Sequence, residues 1–314
     1  MLVAVPCAGA DCVLLLDGSD GSELGRIRVG SHPVHLATVD SAVFVATMGE
    51  RAISVIEDGD VSRISLGTLG PSHFGITDDG RVLVPCTGGD TLAVVDPDAL
   101  TLVDRIGVGA EPHDVAVHDG LAFVGSRVDG TVSVVDPAVG HLRRTINIGD
   151  GARIQGVDAG FDAVYAVDQA GGRIASVTES GIASVATVGA NPYEATIGDS
   201  RLFVPGRDDG TITALDPDLS SRQRHEVGGR PWAVVMLNGD PWVLNRERAV
   251  LHSLDDGSLV DVPAPAFAGA ANPESDTLVV THYDDDRVSL VAPVESETVW
   301  TVETPAEPFD PLLV

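Results

Sequence analysis

The chain repeats one sentence. Residues 108–148 read VGAEPHDVAVHDGLAFVGSRVDGTVSVVDPAVGHLRRTINI. The same features return within 67–108 as PSHFGITDDGRVLVPCTGGDTLAVVDPDALTLVDRIGV, and within 189–227 as NPYEATIGDSRLFVPGRDDGTITALDPDLSSRQRHEV. Each copy has an opening proline and then four short runs of Val, Ile, Leu, Phe or Thr separated by Gly and Asp. Asp-Gly supplies the positive φ that a tight hairpin needs, so HDG and VDG read as turns and the runs between them as strands. Fainter copies occupy 30–66, 149–188, 228–262 and 263–304. No stretch sustains a helical period.

A unit of about 40 residues carrying four strands is the signature of a β-propeller blade. Seven complete units are accompanied by two fragments. Residues 305–314 hold an opening strand with nothing after it, and residues 1–29 hold strands two to four with no opener. Joined, they make an eighth unit, and the join leaves no open sheet edge at the seam. The sequence therefore predicts an all-β fold. It is a single β-propeller domain over 1–314, with eight blades of four antiparallel strands and the ring closed by pairing the C-terminal strand with the N-terminal blade. The blades are 305–314 plus 1–29, 30–66, 67–108, 109–148, 149–188, 189–227, 228–262 and 263–304. Seven blades is the alternative if one faint unit is not a blade.

VGxxP, then LFV, then GTVSVVDP resembles the YVTN-type β-propeller repeat, a relative of the haem d1-binding propellers. The resemblance runs the length of the chain and is closest over 67–148 and 189–227. The family's asparagine after the second strand is mostly replaced here, by FVATM, LVPCT, AFVGSR and LFVPGR. The resemblance speaks for fold, since propellers host many unrelated functions. No haem is expected, because no CxxCH segment accompanies the repeat. No pyrroloquinoline quinone is expected either, because the dehydrogenases that use it are much longer and carry tryptophan docking motifs absent here.

With 44% hydrophobic residues the chain can bury a core. Its 47 acidic and 19 basic residues, every basic one an arginine, give a formal charge of −28. That charge repels nucleic-acid phosphates and anionic lipid headgroups, so neither nucleic acid nor membrane is an expected partner. Cys7, Cys12 and Cys86 form no CxxC, so neither a disulfide framework nor a zinc knuckle is expected. MLVAVPCAGADC lacks a positively charged start and a long apolar run, so the reading is of a cytoplasmic protein with no signal peptide. Nothing in the sequence sets an oligomeric state.

In a propeller the innermost strand of each blade lines the central channel, so residues at one offset from the opening proline form a ring. Two places after that proline stand His35, His73, Asp114, Gln155, Glu194, Ala233, a position near Phe267, and Asp310. One place before them stand Val34, Ser72, His113, Ile154, Tyr193, Trp232 and Phe309, a bulky ring. In GSHPVHLATVD, residues 30–40, His35 belongs to the ring and His32 to the connecting loop. His35, His73, His113 and Glu194 are the expected acid–base residues, since imidazole titrates near neutral pH and carboxylates tune it. Alternatively His35, His73, Asp114, Glu194 and Asp310 are the ligands of a divalent metal ion, which mixed imidazole and carboxylate donors suit. The competing reading is that polar residues merely keep a channel wet.

A second offset, just after the second strand, carries Arg127, Arg207 and Arg246. Three arginines in register in so acidic a chain point to an anionic ligand held by bidentate forks. The alternative is that each pairs with loop aspartates such as Asp129, Asp208 and Asp209. Tyr193, Trp232, Gln155 and His282 complete the expected substrate-binding set. Cys7 and Cys86, both in VPC, read as packing residues. The first functional reading is thus a small-molecule enzyme working in the central channel, a lyase or hydrolase acting on a small anionic substrate, with no cofactor or a divalent metal. By architecture it resembles the virginiamycin B lyase-type and lactonase-type propellers. The second reading is a non-catalytic scaffold that binds a protein or ligand on its rim.

Overall fold

The computed structural model describes all residues from 1 to 314. They form eight four-stranded antiparallel sheets, the blades of one propeller. Blade 1 combines Leu2–Cys7, Cys12–Asp17 and Glu23–Arg28 with Leu312–Leu313 as its innermost strand. Blades 2 to 8 open, in order, with the inner strands Pro33–Val39, Gly75–Ile76, Pro112–His118, Ile154–Gly160, Thr196–Ile197, Pro231–Leu237 and Ala268–Asn272. No helix is long and apolar enough to cross a membrane.

Blade 4 shows why this sequence makes this sheet. Its two middle strands, Leu121–Ser126 and Thr131–Asp136, are almost wholly buried, because neighbouring blades cover both faces. Its outer strand, His141–Asn147, is mostly exposed and carries Arg143 and Arg144. Asp119 and Gly120 both take positive φ, 49° and 72°, so HDG makes the hairpin that its composition demands. The core lies between blades rather than within them. Phe123, Val132 and Val134 of blade 4 pack against Ile154, Val157 and Val164 of blade 5.

The ring closes as the fragments require. Val3 and Ala4 pair with Leu313 and Leu312, and Cys7 bridges to Pro308. Leu2 and Val314 exchange both backbone hydrogen bonds (3.1 and 2.9 Å), and Phe309 N–H donates to the Pro6 carbonyl at 2.8 Å.

One irregularity matters for function. The ladder between the inner strand and its neighbour slips after the opening proline in blade 2 (Pro33↔Thr47, then Leu36↔Val45), blade 4 (Pro112↔Ser126, then Asp114↔Gly125) and blade 7, and at the matching place in blade 5, which has no proline there. Blade 3 does the same between Pro71↔Cys86 and Gly75↔Leu83. Each slip inserts one unpaired residue, a β-bulge, which bends the strand and re-aims side chains. The bulges fall on the residues that face the channel.

Candidate functional site in the central channel

The bulges merge the two expected rings into one. Aromatic side chains form an unbroken circle round the channel. His35 lies 3.9 Å from His73 between ring centres, His73 4.6 Å from His113, and His113 5.9 Å from Tyr193. Tyr193 lies 6.2 Å from Trp232, Trp232 5.6 Å from Phe267, Phe267 4.8 Å from Phe309, and Phe309 5.4 Å from His35. In blade 8 Phe267 is therefore the counterpart of Trp232, and Ala268 that of Ala233. That blade lacks the GxxP opener, so its offset was not readable from the proline.

The three histidines are held in different states. Nδ1 of His73 meets the His113 carbonyl at 2.8 Å, and Nδ1 of His113 meets the Gln155 carbonyl at 2.8 Å. A carbonyl only accepts, so in both rings Nδ1 carries the proton and Nε2 is the bare acceptor. Gln155 Nε2 donates to His113 Nε2 at 3.1 Å, which leaves that imidazole fully engaged. His73 Nε2 is buried and has no hydrogen-bond partner; Glu194 Oε1 stands 3.9 Å away across the channel. His35 differs: its Nδ1 lies 2.7 Å from Asp310 Oδ2, a residue of the closing segment. Asp310 thus orients the ring and leaves Nε2 for chemistry.

The electrostatics follow. Burial opposes charge on His35, but the Asp310 carboxylate overrides it and holds the imidazole above its ordinary value. Burial drives His73 down to about 4, with His35 adding repulsion, and drives His113 well below the histidine range. Burial in the channel pushes Glu194 up to about 7, and Asp114 and Asp310 add to the effect. Asp158, on the blade 5 inner strand, is raised well above the carboxylate range, by burial first and then by Asp114 and Glu194. An imidazole held above its ordinary value and a carboxyl raised to about 7 thus share one channel, the pairing of opposite types that acid–base chemistry uses.

A cavity of about 220 Å³ opens beside these groups. It exists because blades 7 and 8 place only Ala233 and Ala268 where other blades place larger side chains. His35, Glu194 and Asp310 border it together with Trp232, Phe267 and Tyr283. A second space of about 160 Å³ adjoins it, bordered again by Glu194, Trp232 and Asp310. Gly156 lets Glu194 reach its place: a Cβ there would come within 2.8 Å of the Glu194 Cγ and of the Tyr193 carbonyl oxygen.

The arginines diverge. Arg207 and Arg246 both line the cavity and converge on Trp232, their guanidinium carbons 3.4 and 4.6 Å from its ring centre. Arg127 is not among the lining residues and pairs with Glu111 at 3.2 Å. The loop aspartates serve elsewhere: Asp129 accepts from the Ala110 backbone and Asp209 from the Ala190 backbone, each at 2.9 Å. Asp114 sits in the ring, but its oxygens accept from the Val115 and Val157 N–H groups at 2.7 and 2.9 Å, which ties blade 4 to blade 5. His282 is wholly buried inside blade 8, between the Pro265 carbonyl and Ser289 Oγ. His32 takes a positive φ of 55° on the connecting loop. Cys7, Cys12 and Cys86 are buried free thiols.

Phe267 and Phe309, expected only as ring positions, line the cavity with Tyr283, and Tyr283 and the buried Asp158 of the blade 5 inner strand were outside the expected set of site residues. Alternation along the blade 5 inner strand, from Gly156 to Asp158, is the signal that points to Asp158. No group of three or more His, Cys, Asp and Glu side chains stands in a metal-holding arrangement. For His35 to ligate through Nδ1 it would have to leave Asp310; its Nε2 remains available.

No protein-family model matches the sequence, and no curated protein sequence matches it. Solved structures do. Dihydro-heme d1 dehydrogenase NirN in complex with DHE superposes with a TM-score of 0.83, at 14% identity, over 99% of this chain and 74% of that one. Apo AztD from Citrobacter koseri gives 0.72 at 16% identity over 99% and 96% of the two chains. A streptogramin B lyase gives 0.64 at 16% identity over 75% and 84%. At such identities the likeness is one of fold: this chain is a β-propeller of the architecture that these proteins share.

Proposed function

We propose that the channel binds a small anionic molecule and carries out proton transfer on it, as a lyase or hydrolase. The observation that carries this reading is His35, oriented through Nδ1 by Asp310 and facing a cavity that also holds a carboxyl group poised near neutrality. In this reading Arg207 holds the anionic group. Neutral His35 takes a proton through Nε2 from the substrate or from a water, and the Asp310 carboxylate stabilises the imidazolium that forms. Glu194, still partly protonated near pH 7, donates to the leaving group. His73 stays neutral and accepts a hydrogen bond from Glu194 or the ligand. His113, its nitrogens engaged, positions His73 and Tyr193. The similarity in fold to a lyase supports the reaction class without fixing it.

The substrate can be sought and the mechanism tested together. A panel of small carboxylates, phosphate esters and lactones is incubated with the protein in D2O. Proton NMR follows loss of protons next to the anionic group, elimination and ring opening. His35→Ala should lower turnover of any responding compound by roughly 10²–10⁴-fold, the usual worth of a positioned base. Turnover should also fall as pH drops through a value above that of an ordinary histidine, because protonation removes the base. Turnover that is indifferent to His35→Ala and Asp310→Asn would defeat the reading.

A further inference from the structure

We infer that the anion is a monocarboxylate with a flat, ring-sized apolar body, and that Arg207 takes its carboxylate edge-on. The inference rests on the proposed function only in taking the channel as the ligand site.

Arg207 is 4% accessible. Its guanidinium carbon lies 3.7 Å from the Tyr193 ring centre and 3.4 Å from that of Trp232, so aromatic rings cover the flat group. Stacking of this kind supports a guanidinium through its faces and leaves its edges free. Nε and Nη2 are both buried without a hydrogen-bond partner. These two nitrogens share one edge, and their N–H bonds point the same way. Turned into the cavity that Arg207 lines, such an edge holds a carboxylate through two parallel hydrogen bonds.

The neighbouring cations each have an acid beside them, although Nε of Arg127 and of Arg230 is also buried without a partner. Arg246 Nη2 reaches both oxygens of Asp284, at 2.7 and 2.6 Å, and its Nε reaches Oδ2 at 3.2 Å. Arg127 has Glu111 and Arg230 has Asp208. In a chain with 47 acidic residues, Arg207 lines the cavity with no acid of its own. An unpaired buried charge is unfavourable, so the position stores an attraction for an incoming anion.

The rest of the cavity specifies what the anion is attached to. Glu194 and Asp310 line the same space, so a single negative charge is tolerated better than the two of a phosphate. Trp232, Phe267 and Phe309 provide an apolar wall for a flat body. The volume of about 220 Å³ beside Arg207 lies below the roughly 300–1,000 Å³ of sites for drug-sized ligands and suits a body of about one ring.

The probes are benzoate, phenylacetate, cyclohexanecarboxylate, the neutral isostere benzamide, and inorganic phosphate, titrated calorimetrically at pH 7. Benzoate or phenylacetate should bind saturably, and benzamide and phosphate at least tenfold more weakly. Arg207→Lys should weaken benzoate at least tenfold, because lysine has no fork, and Arg207→Gln more. Should the arginine variants not fold, the comparison of benzoate with benzamide on the unaltered protein still decides. Equal binding of benzoate and benzamide, unchanged affinity in folded Arg207 variants, or no binding by any carboxylate would overturn the inference. Benzoate affinity and turnover in D2O are read in separate assays, so the two readings fail separately. Turnover of some other anion without carboxylate binding removes the ligand class alone. Carboxylate binding without turnover in D2O leaves the ligand class standing and removes the reaction.

Discussion

Gly156→Ala is the sharpest single test of how the channel is built. Gly156 does not have a positive φ, so alanine is not excluded by the backbone. On its own the change would stabilise the protein by about 0.4–1 kcal/mol through the unfolded chain. The surroundings reverse that sign. The new Cβ would lie 2.8 Å from Glu194 Cγ, 2.8 Å from the Tyr193 carbonyl oxygen and 3.0 Å from Glu194 Cα, about 0.6 Å short of ordinary contact. Two of these three atoms are backbone, so a rotamer change cannot relieve the overlap; the 193–194 segment itself must move. Overpacking of this kind costs about 1–3 kcal/mol. The net loss is about 1–2 kcal/mol, or roughly 2–4 °C in Tm for a chain of this size. The displaced groups are Glu194, which faces His73, and Tyr193, which stacks on Arg207. A misplacement of half an ångström or more should cost roughly tenfold in turnover or ligand affinity, on the scale of about 10²-fold for 1 Å. Gly25→Ala is the control, because nothing lies within 4 Å of that Cβ. Thermal unfolding and the benzoate titration, run on both variants, give the answer. If Gly156→Ala melts and binds as Gly25→Ala does, then the close approach of blades 5 and 6 does not set the position of Glu194.

Two further outcomes follow from the same geometry. Removing residues 306–314 deletes five backbone hydrogen bonds outside the ladder: the reciprocal Leu2–Val314 pair and the Pro6–Phe309, Ala8–Glu307 and Gly9–Ala306 bonds. At about 1 kcal/mol each the loss is roughly 5 kcal/mol before any apolar burial is counted, and an unshifted urea midpoint would contradict the closure. Glu194 has a raised folded value, about 7 against 4.5 for a free glutamate, so its contribution to stability is complete below about 4.5 and is lost as pH rises through 7. His73, lowered from 6.5 to about 4, works the other way, its contribution being complete above 6.5 and lost as pH falls through 4. Glu194→Gln isolates the first effect. Its Tm should gain on that of the unaltered protein between pH 4.5 and 7, and a constant difference would show that the channel does not raise the Glu194 carboxyl.

The repeat was legible because its punctuation is local: Asp-Gly turns and opening prolines act within a few residues, and counting them reached eight blades. The convergence of His35 and His73 was legible too, since equal offsets in neighbouring blades bring side chains to one axis. The bulges were not. An unpaired residue such as His113 or Trp232 shows itself only in the pairing of two strands, so the two offsets looked like separate rings. The arginines looked alike in sequence because their partners are distant. Asp284, which satisfies Arg246, is supplied by the next blade, and the Tyr193 and Trp232 rings that flank Arg207 come from inner strands on two blades.

Asp310 and Phe309 lie on the segment that closes the ring, and His35 lies on blade 2. The histidine therefore has its carboxylate only in molecules whose two ends have met. A seam that frays, as chain ends do most readily, would disconnect His35 while every blade remained folded. The same joint that gives the molecule its strength thus also holds the His35–Asp310 contact, and a half-zipped copy would lose that contact with its blades intact.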